Sequence, residues 1–164
     1  MEMTTNPALW FLPFAGAISI WVALSDMKTM RIPNKAVYAL VIVFAVVGVI
    51  ALPMDTYLWR WSHLAVVLVI GFAMNMIGMI GAGDAKFAAA MAPFIALVDA
   101  GGFLMLFAIC LLAAFFTHRA ARLVPALRRA TPGWESWERR DFPMGLALGG
   151  ALLMYLALTA TTGI

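Results

Sequence analysis

Six apolar runs divide this chain, and they constrain its fold more than any other feature. The runs lie at about 8–25, 36–53, 64–81, 86–99, 102–117 and 143–162. A helix that crosses the hydrocarbon core of a bilayer needs about 20 apolar residues. Only 12% of the residues are charged, whereas a soluble domain carries about 25%. We therefore predict an all-α, polytopic membrane protein with residues 1–164 in a single domain.

The placement of basic residues favours six crossings. The fourth run, 86–99, is short for a spanning helix, and a re-entrant or interfacial segment is the alternative. If all six runs cross and both termini lie outside, only Arg60 among the basic residues falls outside. The cytoplasmic set is then Lys28, Arg31, Lys35, Lys86, Arg119, Arg122, Arg128, Arg129, Arg139 and Arg140. This asymmetry follows the positive-inside rule, and a fourth run that failed to cross would remove most of it.

The sequence lacks the signatures of several classes of protein. The single cysteine, Cys110, lies in an apolar run, which excludes a disulfide framework and a four-cysteine zinc site. The chain has no Walker A loop, dinucleotide fingerprint or HExxH motif. We therefore expect no cofactor, no metal and no nucleic-acid partner.

Two aspartates lie at the ends of apolar runs, where a carboxylate is costly. Asp26 closes the first run within SDMKTMRIPN, and Asp84 lies in GAGDAKF between the third and fourth runs. Carboxylates at the edge of a membrane are functional candidates because burying their charge is unfavourable. Two crossings separate the positions, so both carboxylates are expected on the cytoplasmic face at similar depth.

The neighbours of Asp84 suit the approach of an extended peptide. Gly81 and Gly83 precede it, and glycine permits positive φ and close contact with another chain. Lys86 follows it by two residues and could tune the carboxylate or bind lipid phosphate. The simpler interpretation is that Asp84 only caps the fourth helix, near the positive end of its dipole.

The neighbours of Asp26 indicate a short polar connector. Pro33 disfavours helix just before it, so the second helix should start near Pro33 or Asn34. Asp26 is then expected at the end of the first helix, at the start of the connector and not mid-helix. The simpler interpretation is an interfacial charge paired with Lys28 or Arg31.

Two carboxylates that meet can act as an acid–base pair that shares a proton. Because like charges raise one pKa, one carboxylate stays anionic and deprotonates a water while the other polarises a carbonyl. The water then attacks to form a tetrahedral intermediate, and no metal is required. The shared proton belongs to the pair and not to either aspartate.

Three motifs occur together along the chain: Asp26 followed by the IPN of residues 32–34, GAGDAK at 81–86, and FPMGLALGG at 142–150. In these motifs the chain resembles the type IV prepilin peptidases, which are membrane aspartic proteases with a GxGD signature. The likeness is to the short CpaA/TadV-like members associated with Flp pili. It extends over essentially the whole chain. The larger bifunctional members carry a cysteine-rich insertion that this chain lacks, so methyltransferase activity is not expected.

The resemblance implies that Asp26 and Asp84 are the catalytic pair. It implies a prepilin or pseudopilin substrate, cut at the cytoplasmic membrane edge between a basic leader and the pilin's hydrophobic helix. The residues expected to bind substrate or shape the site are Gly81, Gly83, Lys86, Lys28, Pro33 and Asn34. The expected location is the bacterial inner membrane, with its lipids and possibly pilus assembly proteins as partners.

Two alternative functions remain open, and one polar segment lies outside the proposed site. The aspartates could instead relay protons or ions in a small transporter, or the chain could be an inactive assembly scaffold. The segment 118–141 is the one sizeable polar stretch, and its arginines with Trp134 and Trp137 are typical of a loop on the inner leaflet.

Overall fold

A computed structural model describes residues 6–139 and 141–162, and these residues form helices joined by short connections. The α-helices are α1 (Pro7–Thr29), α2 (Asn34–Ala51), α3 (Met54–Met76), α4 (Ala82–Met91), α5 (Ala100–Arg122), α6 (Pro125–Ala130) and α7 (Met144–Thr162). Single 3₁₀ turns lie at 92–94, 97–99 and 135–137. The predicted all-α class is confirmed. Arg140, which entered the charge argument, and the terminal residues 1–5 and 163–164 lie outside the described residues.

Five helical segments of the described chain are long and apolar enough to cross a membrane. They are Pro7–Thr29, Asn34–Ala51, Met54–Met76, Leu97–Arg122 and Met144–Thr162. The fourth apolar run is not one of them, because 86–99 is divided between α4 and two 3₁₀ turns. Pro93 begins one break, since proline cannot donate the hydrogen bond that continues an α-helix.

The predicted third run is displaced from the helix that forms. We expected 64–81, whereas α3 begins ten residues earlier, at Met54, and ends at Met76. Arg60 had ended the apolar pattern on the N-terminal side. Its guanidinium instead turns inward and donates to the carbonyls of Pro93 and Phe94, both at 3.3 Å. The helix therefore continues through Arg60, because its charge is stabilised by carbonyl groups of the turn at 92–94.

The predicted polar loop 118–141 is also more ordered than expected. α5 continues through His118 to Arg122, and α6 and a 3₁₀ turn follow. The turn packs against α1 instead of only lying on the membrane surface. Ser136 and Trp137 are buried there. The segment therefore contains a short helix and a buried tryptophan, where the sequence had indicated only a polar loop.

The first and last long helices, α1 and α7, form the most extensive helix contact. A Cβ added at Gly149 would lie 2.5 Å from the backbone oxygen of Ser19, so this crossing requires glycine. The short helix α4 is buried against α2, α3 and α7. At its α3 contact, a Cβ on Gly71 would lie 3.1 Å from that of Ala85. This packing holds the start of α4 near the end of α1.

Candidate active site

A cavity of about 740 Å³ contains both aspartates in its wall. Of the residues predicted to form the site, Asp26, Asn34, Gly81, Gly83, Asp84 and Lys86 line it. Lys28 and Pro33 are not among its lining residues. The structure thus brings together two carboxylates that are distant in sequence, where the count of crossings had predicted only a shared membrane face and a similar depth.

Asp26 lies in the last turn of α1 and is only 5% exposed. Our expectation that it starts the connector is wrong, because α1 continues to Thr29. The helix ends instead at Met30, which has a positive φ of 51° and donates its N–H to the Asp26 carbonyl at 2.8 Å. The following connector is short, and α2 starts at Asn34 after Pro33, as predicted.

The Asp26 carboxylate is held by the first turn of α7. The backbone N–H of Gly145 donates to its Oδ2 at 2.7 Å. This N–H is free to do so because the first N–H groups of a helix have no partner within the helix. Among the described residues the one salt bridge joins Arg139 and Glu135, so the alternative pairing of Asp26 with Lys28 or Arg31 is not observed.

Asp84 is the third residue of α4 and is half-buried. The capping residue is Gly81, so the interpretation of Asp84 as the N-cap is wrong by three positions. Its carboxylate turns back toward the helix start, where a Cβ on Gly81 would lie 2.6 Å from Oδ2. Burial, with the nearby charge of Asp26, raises the pKa of Asp84 to about 6, and the Gly81 backbone N–H acts in the opposite direction.

The loop before α4 is shaped by residues other than the two predicted glycines. Gly81 and Gly83 have no positive φ, whereas Gly78 does, at 75°. Gly78 ends α3 with the paired hydrogen bonds of a Schellman motif. The Asn75 side chain donates to the Ile80 carbonyl at 2.8 Å. The residue with positive φ is therefore Gly78, which ends α3. The residues just before Asp84 do not need positive φ, because residues 82 and 83 already belong to α4.

Comparison with known protein families assigns the chain to one family. The model of the type IV leader peptidase family matches residues 14–118, which include both aspartates and the GAGDAK motif. The chain belongs to the type IV leader peptidase family. Comparisons with curated proteins and with solved structures gave no match. Membership makes the chain a peptidase of the leader-peptidase type, and its apolar helices indicate a multi-pass membrane protein.

Several residues around the cavity of this leader peptidase were not predicted. They are Met30, Arg31, Ile32, Gly78, Met79, Ile80, Ala82, Arg139, Asp141, Phe142 and Met144. Gly145, which holds Asp26, also escaped prediction, because it acts through its backbone N–H. The available signal was Pro143, which places the start of α7 and hence its free N–H groups.

The remaining predicted residues lie at the edge of the site. Lys86 Nζ is 3.5 Å from Asn34 Oδ1, which joins α4 to α2 beside the two aspartates. Lys28 is exposed on α1. Within residues 6–139 and 141–162, no group of three or more His, Cys, Asp or Glu side chains could hold a metal ion. The chemistry that this leader peptidase presents is that of two carboxylates facing one cavity.

Proposed function

We propose that this leader peptidase is an aspartic endopeptidase with Asp26 and Asp84 as its catalytic pair. The proposed substrates are type IV or Flp-type prepilins, cut at the cytoplasmic membrane face. The observation that carries the proposal is the single cavity lined by both carboxylates. It is the arrangement that a water-activating pair needs, since both groups must reach one scissile carbonyl.

The electrostatic setting supports this chemistry. The Gly145 N–H stabilises negative charge on Asp26. The raised pKa of Asp84 keeps a proton in the pair at mildly acidic pH. The anionic member takes a proton from water, and the water oxygen bonds to the carbonyl carbon while the protonated member donates to the carbonyl oxygen. As the C–N bond breaks, the proton taken from water passes to the leaving amine. The hydroxyl formed from the carbonyl oxygen returns its proton to the other aspartate, which restores the pair. Asparagine at either position could not exchange a proton in this way.

The surroundings of the cavity suit a substrate that enters from the membrane. Met79 lines the cavity and is 65% exposed. Met76 and Ile77, which precede it at the end of α3, are also largely exposed. A lipid-facing apolar surface therefore adjoins a polar cavity. A prepilin has a hydrophobic helix directly after its scissile bond, and this helix could lie against that surface.

The proposed topology has six crossings with both termini outside. α4 and the turn at 92–94 would form the short fourth crossing, and burial against other helices would compensate for its length. Cysteine labelling tests this. A membrane-impermeant maleimide added outside should modify Asp55→Cys and Val98→Cys but not Glu138→Cys, all at exposed positions. External labelling of Glu138→Cys would contradict six crossings.

The direct test is processing of a defined substrate. The full chain should be co-expressed with a small pilin that carries a basic leader and one hydrophobic helix. We expect a shorter pilin on a gel, and mass spectrometry of the product should place the cut between leader and helix. Cleavage inside the hydrophobic helix would contradict the assigned substrate class. Intact pilin beside inserted, folded enzyme would contradict prepilin processing.

A further inference from the structure

A second cavity, of about 420 Å³, is built by the segment that follows α5. It shares no lining residue with the cavity of the two aspartates. Its wall contains three arginines, Arg122, Arg128 and Arg129, and one acid, Glu138. The described arginines here form no salt bridge. The cavity therefore has an excess of positive charge and suits an anion.

The wall of this cavity is held in place by aromatic contacts. Trp134 and Trp137 stack with ring centroids 5.9 Å apart and planes 7° from parallel. Trp137 stacks in turn on His118, at 5.2 Å and 5°. Its indole N–H donates to the Thr131 hydroxyl at 3.0 Å. Because Trp137 is only 6% exposed, the arginines surround a formed pocket and not a loose loop.

The position of the cavity relates it to the membrane surface. Arg122 is the last residue of a segment long and apolar enough to span the bilayer. Beside it, Leu123, Val124 and Leu127 are exposed apolar residues, and Leu123 is 80% exposed. Such side chains are stable where they enter the acyl-chain boundary. The arginines that flank them in the sequence, Arg122, Arg128 and Arg129, then lie at the depth of the lipid phosphates.

We propose that this cavity binds the phosphate of an anionic phospholipid headgroup. Arg128 and Arg129 line the cavity and are exposed, and a guanidinium group pairs with phosphate oxygens through two parallel hydrogen bonds. The paired tryptophans provide the aromatic wall that suits the interfacial region. Glu138 offsets one of the three positive charges. This binding does not depend on the proposed peptidase chemistry.

The test measures lipid binding by the full chain in a zwitterionic detergent. Native mass spectrometry would follow titration with phosphatidylglycerol and with phosphatidylcholine of the same acyl chains. The test variant is Arg128→Gln with Arg129→Gln. The matched control is Lys35→Gln with Arg119→Gln, which removes the same charge from two exposed residues that do not line the cavity.

Selective binding of phosphatidylglycerol that weakens about 25-fold in the test variant, at about fivefold for each arginine, would support the proposal. The control should retain most of the affinity. All four positions are exposed, and thermal unfolding in detergent verifies that each variant is folded. Equal losses in both variants would overturn the pocket in favour of general surface charge. Equal binding of phosphatidylcholine, or full competition by millimolar inorganic phosphate, would overturn the anionic lipid as its ligand.

Discussion

The two aspartates are supported by different kinds of structure. Asp26 is inside a long helix, almost fully buried, and bonded to the backbone of α7. Asp84 is half-buried at the start of a ten-residue helix, after a non-helical loop closed by Gly78 and Asn75. One carboxylate is therefore positioned by helix packing and the other by a loop. The packed side should tolerate less change, whereas the loop side should adapt and respond more to pH.

The largest effect should come from removing either carboxylate. Asp26→Asn and Asp84→Asn should each lower processing by about 10²–10⁴-fold, because an amide cannot transfer the required proton. Pilin processing per molecule of inserted enzyme is the measurement. Asp55→Asn, at an exposed acid in the first turn of α3 that does not line the cavity, is the control and should cleave normally. Near-normal processing by either asparagine variant would contradict the assignment of Asp26 and Asp84 as the catalytic pair.

A methyl group at Gly145 should test the packed side. The added Cβ would lie 2.8 Å from the Asp26 Cβ and 3.0 Å from Oδ2, so α1 and α7 would have to separate. Overpacking of this kind costs about 1–3 kcal/mol, and a shift of about 1 Å in a catalytic group can cost about 100-fold in rate. We expect Gly145→Ala to lose activity by that order and to unfold at lower temperature.

The control for Gly145→Ala is Gly150→Ala in the same helix, where an added Cβ has nothing within 4 Å. It should process the pilin normally. If both alanine variants were equally active, the close contact between Gly145 and Asp26 would not position the carboxylate.

The rate of processing should depend on pH through the protonation of Asp84. With the pKa of Asp84 raised to about 6 by burial and by Asp26, processing should fall as pH rises above that value, by at most about tenfold per unit, as the proton leaves the pair. A rate that is constant from pH 5 to 8 would contradict this assignment.

The same group contributes to stability with a defined sign. A raised pKa means that the folded state binds the proton more tightly than the unfolded state, whose value is 3.8. The contribution is therefore fully present below pH 3.8 and is lost as pH rises through about 6. The unfolding temperature of wild type, relative to that of Asp84→Asn, should fall between the two pKa values, 3.8 and about 6, and level off above them. An unchanged difference between the two proteins would contradict the raised pKa.

The smallest effects are expected at the glycines on the loop side. A Cβ at Gly81 would overlap Asp84 Oδ2, but that atom ends a rotatable side chain and can move. An off-rotamer side chain costs about 0.5–1.5 kcal/mol, so Gly81→Ala should lose about tenfold or less. At Gly83 an added Cβ would meet Ile32 at an ordinary 3.5 Å. Gly83→Ala should therefore be nearly normal, whereas Gly83→Leu should press on the connector and impair processing.

The sequence predicted the helical class and the start of α2, which follow from hydrophobic length and from proline geometry. The number of crossings predicted that the two aspartates share a face, whereas their meeting in one cavity depends on packing between distant helices. The sequence misplaced α3 because Arg60 reads as a polar interruption, although the residue is satisfied by carbonyls of a distant turn. Contacts of this kind cannot be read from a single segment.

The site itself was only partly predictable. Asp26 and Asp84 could be found from the sequence because carboxylates at the ends of apolar runs are costly and rare. The backbone N–H of Gly145 and the loop-closing role of Gly78 carry no side-chain signal. The stacking of Trp134 and Trp137 has a local cause, since residues three apart eclipse in a 3₁₀ turn. The sequence spacing was visible, but the turn type was not.

The bond between Asp26 and Gly145 joins the first helix described to the last. During synthesis, the chain would insert α1 long before α7 emerges, and Asp26 would then lack its backbone partner. The Ser19–Gly149 crossing that brings them together also forms only at that stage. A ribosome-bound intermediate would thus carry both aspartates without a finished site. If Asp26 and Asp84 are the catalytic pair, the order of assembly would delay proteolysis until the last helix has docked.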